Sequence, residues 1–188
     1  RLAYGPVQVA DVKGLCDAGL FEGKAHPLFL GQTEEIPFLK KQTRLTFARC
    51  GIVDPASPDD YRAHGGMKGL ARARALGAQG ILDEVKASGL RGRGGAGFPT
   101  GIKWETVAQA KADKKYIVCN ADEGDSGTFA DRMVMEGDPF MLLEGMVIAA
   151  LAVGAQYGYI YVRSEYPHAI AALNVALAEA RKQGWLGA

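Results

Sequence analysis

Two stretches of this sequence gather residues able to hold a charged, flat ligand. The first, at residues 91–104, reads RGRGGAGFPTGIKW. Glycine fills positions 92, 94, 95 and 97, arginine positions 91 and 93, and lysine position 103. A glycine inside regular structure costs about 0.5–1 kcal/mol relative to alanine, so such a cluster needs a reason. Without Cβ atoms, a phosphate or an aromatic ring can lie directly on the backbone. Successive N–H groups can then form an anion-binding concavity. Pro99 and Gly101 predict a turn over 98–101, with Thr100 capping a helix that runs towards Ala110. Lys103 falls in the first turn of that helix, where a cation opposes the dipole. A lysine there makes sense if it reaches an anionic ligand beside the helix N-terminus. The plain alternative is a solvated lysine on a loop that turns a corner, although a corner needs fewer glycines.

Residues 92–97 satisfy G-x-G-x-x-G. A dinucleotide fingerprint also requires a strand immediately before it. The preceding segment, QGILDEVKAS, is patterned as an amphipathic helix, so the ordinary fingerprint fails. No G-K-[ST] follows, which excludes a P-loop. Arginine–glycine nucleic-acid segments are repetitive, whereas RGRGG occurs once between patterned elements.

The second stretch, CNADEGDSGTFADR at 119–132, crowds Asn120, Asp122, Glu123 and Asp125 behind a predicted strand. The order of acids is not that of a calcium loop, and no glutamate stands at the twelfth position. Paired carboxylates could serve hydrolysis, but no metal set or water-activating group accompanies them. Such acceptors suit sugar hydroxyls, ring N–H groups and amides. The two stretches therefore fit the two ends of one nucleotide-sized ligand, with a solvated acidic loop as the plain alternative. His26, His64 and His168 are scattered, and no nucleophile–base pair can be assembled.

These groups must be positioned by regular elements. The period predicts a short strand at 43–50. A helix should start at Ser57-Pro58-Asp59-Asp60, and further helices should cover 67–76 and 79–88, the last ending at Gly89. In 79–88, Ile81, Leu82 and Val85 share one face. KYIVC at 115–119 reads as a short buried strand, and 139–153 as a helix ended by Gly154. YGYIYV at 157–162 reads as a second strand, and Pro167 opens a helix stopped by Gly184. In that last helix Ile170, Leu173, Ala176 and Leu177 recur at helical spacing. Strand, helix, strand, helix predicts an α/β fold: a Rossmann-like parallel sheet with flanking helices. Ligands bind such sheets beyond the strand C-termini, which marks the positions after Cys119 and after Val162. Residues 1–45 lack a sustained period and predict an irregular and helical N-terminal extension, possible as a partner-docking piece. Residues 46–188 form the second domain.

With 188 residues, the chain is long enough for a packed domain plus an extension. A net charge of +1 argues against a nucleic-acid binder. Three separated cysteines, without CxxC, predict a reduced, cytoplasmic protein and no metal site within this segment. The apolar run at 141–155 contains Glu144 and is shorter than a bilayer span, so no membrane insertion is expected. The chain opens on Arg1 rather than methionine, as a processed or partial chain would.

GLRGRGGAGFPTGIKW and NADEGDSGTFADR resemble the NADH-binding flavoprotein subunit of respiratory complex I and its relatives in NAD-reducing hydrogenases and NAD-dependent molybdenum or tungsten formate dehydrogenases. CGIVDPASPDDYRAHGG, EGDPFMLLEGMVIAA and YGYIYVRSEYPHA extend the resemblance from about Arg44 to the end. AHPLFLGQTEEIPFLKKQTRLTFARCGIVDP looks most like the diaphorase (beta) subunit of formate dehydrogenase. The resemblance implies FMN in a Rossmann-like cavity with NAD(H) stacked on it, and electrons passing on to iron–sulfur clusters. It implies a small [2Fe-2S] partner subunit and a molybdenum or tungsten formate dehydrogenase subunit. The equivalent complex I or hydrogenase subunit is the alternative, and a non-catalytic assembly module is another.

Carried over by position, Gly92, Arg93, Gly94, Lys103, Asn120, Asp122 and Glu123 match FMN-contacting positions. Gly95, Gly97, Phe98 and Asp125 match the NAD face, with Phe98 stacking on adenine. Asp125 stands where the family resemblance implies glutamate, and Thr106 where it implies a second phenylalanine. The family's Y-x-C-G-E-E stretch, its asparagine–threonine stretch and the CxxCxxC ligands of its [4Fe-4S] cluster are absent from these residues. The resemblance therefore implies the N-terminal part of a longer subunit, incomplete as a flavin site.

Overall fold

The computed structural model describes residues 2–23, 26–125 and 127–187. They divide into two units, Arg1–Leu45 and Thr46–Ala188. The first unit contains β1 (Leu2–Tyr4), α1 (Asp11–Asp17), β2 (Phe29–Gln32) and α2 (Pro37–Lys40). β1 and β2 pair antiparallel, with Tyr4 opposite Phe29 and their rings 5.3 Å apart. That pair adds strands to a region expected to be irregular and helical. Strands of three and four residues, joined across α1, are too short to show an alternating pattern.

The second unit begins with a correction. Residues 43–50 form no strand but turn: the Cys50 N–H donates to the Phe47 carbonyl at 3.2 Å and the Val53 N–H to that of Arg49 at 3.1 Å. The turn brings Arg49 to the buried Asp138, at 2.8 Å, and lays its guanidinium 4.7 Å from the centre of the Tyr61 ring. α3 (Pro58–Ala63) starts as its residues dictate, with Ser57 Oγ accepting the Asp60 N–H at 3.1 Å. α4 (Lys68–Ala87) is continuous but for Gly77, whose φ of 69° and ψ of 175° break it between the two helices expected at 67–76 and 79–88.

α4 has no cap of its own at Met67. Glu144 supplies one from a distant helix. Its carboxylate accepts the N–H groups of Met67 and Leu70, each at 2.8 Å, and the Tyr61 hydroxyl. Burial and this carboxylate hold the Tyr61 hydroxyl well above its ordinary pKa, so it stays protonated and donates. Glu144→Ala is expected to lose about 2–3 kcal/mol, because helix-end donors and a buried phenol are left without an acceptor. Urea unfolding checks this, and a loss below about 0.5 kcal/mol would contradict it.

α5 (Thr100–Gln109) packs closely on α4. A Cβ on Gly101 would lie 2.9 Å from Lys86 Cα, so this glycine permits close approach rather than the expected turn. Trp104 and Val107 of α5 pack on Ile81, Leu82, Ala152 and Val153. β3 (Tyr116–Ala121), α6 (Ala130–Gly137), α7 (Pro139–Val153), β4 (Tyr157–Val162) and α8 (Pro167–Lys182) follow. β3 and β4 pair in parallel from Tyr116 opposite Tyr157 to Ala121 opposite Val162, with α7 in the crossover. This is the expected α/β arrangement. Among the described residues this sheet has two strands.

β3 was expected to be buried, and this too is corrected. Ile117, Cys119 and Ala121 pack into the helical core, as do Ile160 and Val162 of β4. The alternate residues, Tyr116, Val118, Tyr157, Tyr159 and Tyr161, are exposed on the other face. Alternation fits a sheet covered by helices on one side. No helix among the described residues is long and apolar enough to cross a membrane.

Candidate functional site

The glycine stretch folds into a loop pinched at its base. The Gly92 N–H donates to the Phe98 carbonyl and the Thr100 N–H to that of Leu90, both at 2.9 Å, and Arg91 bridges Pro99. Arg91 also donates to the Gly97 carbonyl at 2.9 Å, which ties the loop from within. Gly95 adopts φ 99° and Gly97 φ 60°, in the left-handed region that a side chain resists. A Cβ on Gly94, Gly95 or Gly97 would meet no atom within 4 Å. The space over this backbone is open, as a cradle for a ligand requires. Phe98 is half exposed beside it.

The loop leads straight into α5. Thr100 does not cap that helix; Pro99 stands at the cap and Thr100 is the first helical residue. No acidic side chain occupies the first turn, so the helix N-terminus keeps its positive character for another partner. Lys103 is exposed in this turn, and neither it nor Arg93 has an ion-pair partner among the described residues.

The acidic stretch leaves the C-terminus of β3. Asn120 Oδ1 accepts the Asp122 N–H at 3.2 Å, closing the backbone on itself. Glu123 adopts φ 46° and Phe129, just before α6, φ 53°. A non-glycine residue held there costs on the order of 1–3 kcal/mol, and such strain persists only where surrounding contacts impose it. Those contacts are visible. Glu123 Oε2 accepts the Arg132 N–H at 2.7 Å, at the start of α6. The Glu123 carbonyl accepts from Arg163, at the end of β4, at 2.9 Å. Glu123 Oε1 is buried and has no partner among the described residues. A buried acceptor without a donor is costly unless a ligand supplies one. Asp125 and Asn120 are exposed, and Ser126 of the same motif lies outside the described residues.

A cavity of about 490 Å³ lies among α5, β3, α6 and α7. Lys103 and Trp104 of α5 line it, with Val118 and Cys119 of β3, Val134 of α6 and Met146 of α7. Of the sequence-predicted site residues, Lys103 lines this cavity; Gly92, Arg93, Gly94, Gly95, Gly97 and Phe98 stay with the pinched loop, and Asn120, Asp122, Glu123 and Asp125 with the strand end. Burial pushes the Cys119 thiol above its usual range, with Asp131 adding to it, so it remains protonated beside the cavity. Sequence reasoning missed α6, Arg132 and Tyr166, and it marked the position after Val162 without assigning Arg163 a role. For Arg163 a signal existed: it is the first residue after the second strand, where such sheets take ligands.

Both stretches fall inside a match to a known family. The model of the Nuo51 FMN-binding domain family matches residues 85–186. The chain is 53% identical over 148 residues to the NADP-reducing hydrogenase subunit HndC of Solidesulfovibrio fructosivorans, covering 79% of this chain and 30% of that one. It is 51% identical over 130 residues to an NADH-quinone oxidoreductase subunit of Rhizobium meliloti (strain 1021), covering 68% and 30%. A crystal structure of NAD+-reducing [NiFe]-hydrogenase in the H2-reduced state superposes with a TM-score of 0.56 at 39% identity, over 60% of this chain and 20% of that one. The chain thus spans about 30% of the length of the curated relatives it matches.

Proposed function

The chain belongs to the Nuo51 FMN-binding domain family, and from that membership we propose that it forms part of an NAD(H)-reacting FMN subunit of a multi-subunit oxidoreductase. The observation that supports this best is the buried, unpartnered Glu123 Oε1, set at a strained residue on the C-terminal end of a parallel sheet. The residues fit the cofactor: a carboxylate lacking a donor, and a glycine backbone with open space above it. Gly92, Arg93, Gly94 and Lys103 would hold the phosphate side of FMN, and Asn120, Asp122 and Glu123 its sugar-like chain and ring. Gly95, Gly97, Phe98 and Asp125 would form the face for NAD(H), with the half-exposed Phe98 ring offered for stacking. When bound, FMN supplies a hydride acceptor for the nicotinamide and a route for electrons to iron–sulfur clusters, a small [2Fe-2S] subunit among them. The work of this chain is to bind, orient and stack.

The partner reading shifts. The relatives are hydrogenase and quinone oxidoreductase subunits, which support the alternative rather than the formate dehydrogenase reading. We therefore favour an assembly of the hydrogenase or complex I kind. Residues 1–45, with Val9, Phe21 and Phe38 exposed, would dock to a partner, while 46–188 form the N-terminal part of the FMN/NAD domain.

The full-length subunit should carry FMN and reduce ferricyanide with NADH or NADPH; a flavin-free preparation that cannot be reconstituted would defeat the proposal. Hydrogen-, quinone- or formate-linked turnover of the native complex assigns the partner. Lys103→Ala should weaken FMN affinity about tenfold, the scale of one charge-assisted contact. Flavin fluorescence on rebinding reads this, and unchanged affinity removes Lys103 from the phosphate site.

A further inference from the structure

Glu123 is held in place by two contacts, and the more telling comes from the neighbouring strand. Its backbone is in the left-handed region, its Oε2 accepts the Arg132 N–H, and its carbonyl accepts from Arg163 Nη1 at 2.9 Å. Arg163 follows β4 directly, one position beyond the residue paired with Ala121. Its side chain is 27% exposed and engages Glu165 on its outer side, at 3.3 Å from Nη2. The guanidinium also lies 5.5 Å from the centre of the Tyr166 ring. The same ring has the Arg132 guanidinium 5.5 Å from its centre. Tyr166 is buried, so the two arginines that fix Glu123 are themselves anchored on one core aromatic.

Besides the Tyr166 ring, the inner contact of Arg163 is the Glu123 carbonyl, on the segment carrying the candidate acceptor. A guanidinium has no acceptor atom and a rigid fork of donors, so it locks a carbonyl without competing for a ligand's N–H or O–H. Arg163 leaves the Glu123 carboxylate alone and fixes the backbone from which it projects.

We propose that Arg163 is a positioning residue that aims the free oxygen of Glu123 at the FMN. This rests on the flavin-subunit reading. It assigns to β4 a part in the site that otherwise consists of the glycine loop and the end of β3.

The test uses the full-length subunit, stripped of FMN and titrated with FMN, following flavin fluorescence. Arg163→Met should weaken FMN binding about tenfold, and Arg163→Lys, which keeps one donor, should recover most of that loss. Glu165→Gln should leave affinity unchanged, since Glu165 lies on the outer side. On a Glu123→Gln background, Arg163→Met should add little, because its effect passes through Glu123. In the FMN-free protein, amide exchange at residues 122–132 should be faster in Arg163→Met than in wild type, a readout independent of turnover. Wild-type affinity in Arg163→Met, or an equal loss on both Glu123 backgrounds, overturns the proposal. A wild-type subunit that binds no FMN overturns the functional reading and this inference with it.

Discussion

Arg49→Met should lower the stability of the 188-residue chain by about 3–5 kcal/mol at neutral pH, the scale for stripping one partner from a buried ion pair. Asp138 is 1% exposed, and Arg49 Nε donates to its Oδ2 at 2.8 Å. Its Oδ1 has no partner among the described residues. Burial already pushes the Asp138 carboxyl above its ordinary range, and Arg49 is the main force drawing it back. Without Arg49 the shift grows. A carboxyl whose folded pKa is raised binds protons more tightly in the native state. Its stabilising effect is therefore greatest in acid and is lost as pH rises from about 3.9 through the folded value. The deficit of Arg49→Met should be smallest near pH 4 and largest at pH 7, as read by urea unfolding at both. Adding Asp138→Asn should restore part of the loss at pH 7, because no charge is then left buried. A deficit that ignores pH, or falls below about 1 kcal/mol, would show that this pair does not anchor the turn at 47–53.

Gly95→Val should leave the fold standing and abolish useful dinucleotide binding. At φ 99° the substitution introduces strain on the order of 1–3 kcal/mol. The new Cβ meets no protein atom within 4 Å, so the loop has room for it. That room is where the dinucleotide would lie against the backbone. Losing about 3 kcal/mol of contact corresponds to about 100-fold in affinity. NADH affinity of the full-length subunit should therefore fall about 100-fold while its FMN content stays near wild type, because Gly92, Gly94 and Lys103 are unchanged. Gly94→Ala, at a position without a positive φ and with free space, should be mild by comparison. Equal affinity for NADH in Gly95→Val and wild type would remove this loop from the dinucleotide face.

Much of the second unit was legible because its signals are local. Ser57 with Pro58, Pro139 with Gly154, and Pro167 with Gly184 mark their helices in the chain itself, and all three helices form there. The strands at KYIVC and YGYIYV also form, in parallel. Residues 43–50 misled because short-range alternation cannot report whether a neighbouring strand exists. Helix α6 escaped notice because ADRMVMEG follows an acidic loop without a capping side chain; Phe129 stands at its cap in a left-handed conformation. β1 and β2 escaped because their pairing spans α1.

The chemistry showed the same division. Sequence by itself determined the glycine backbone, the acidic strand end and the parallel βαβ order, since each depends on residue type and near spacing. It also determined the family, through long motifs in one order. Tertiary structure decided which groups are pinned and which are left unsatisfied. Glu144 caps a helix 74 positions away at Leu70, Arg49 meets Asp138 across 89 positions, and Arg163 reaches back 40 to Glu123. The physical reason is that burial and hydrogen-bond satisfaction belong to the packed whole. A carboxylate such as Glu123 could serve as a binding group only because folding removes water from one oxygen, partners the other and leaves the first without a donor among the described residues.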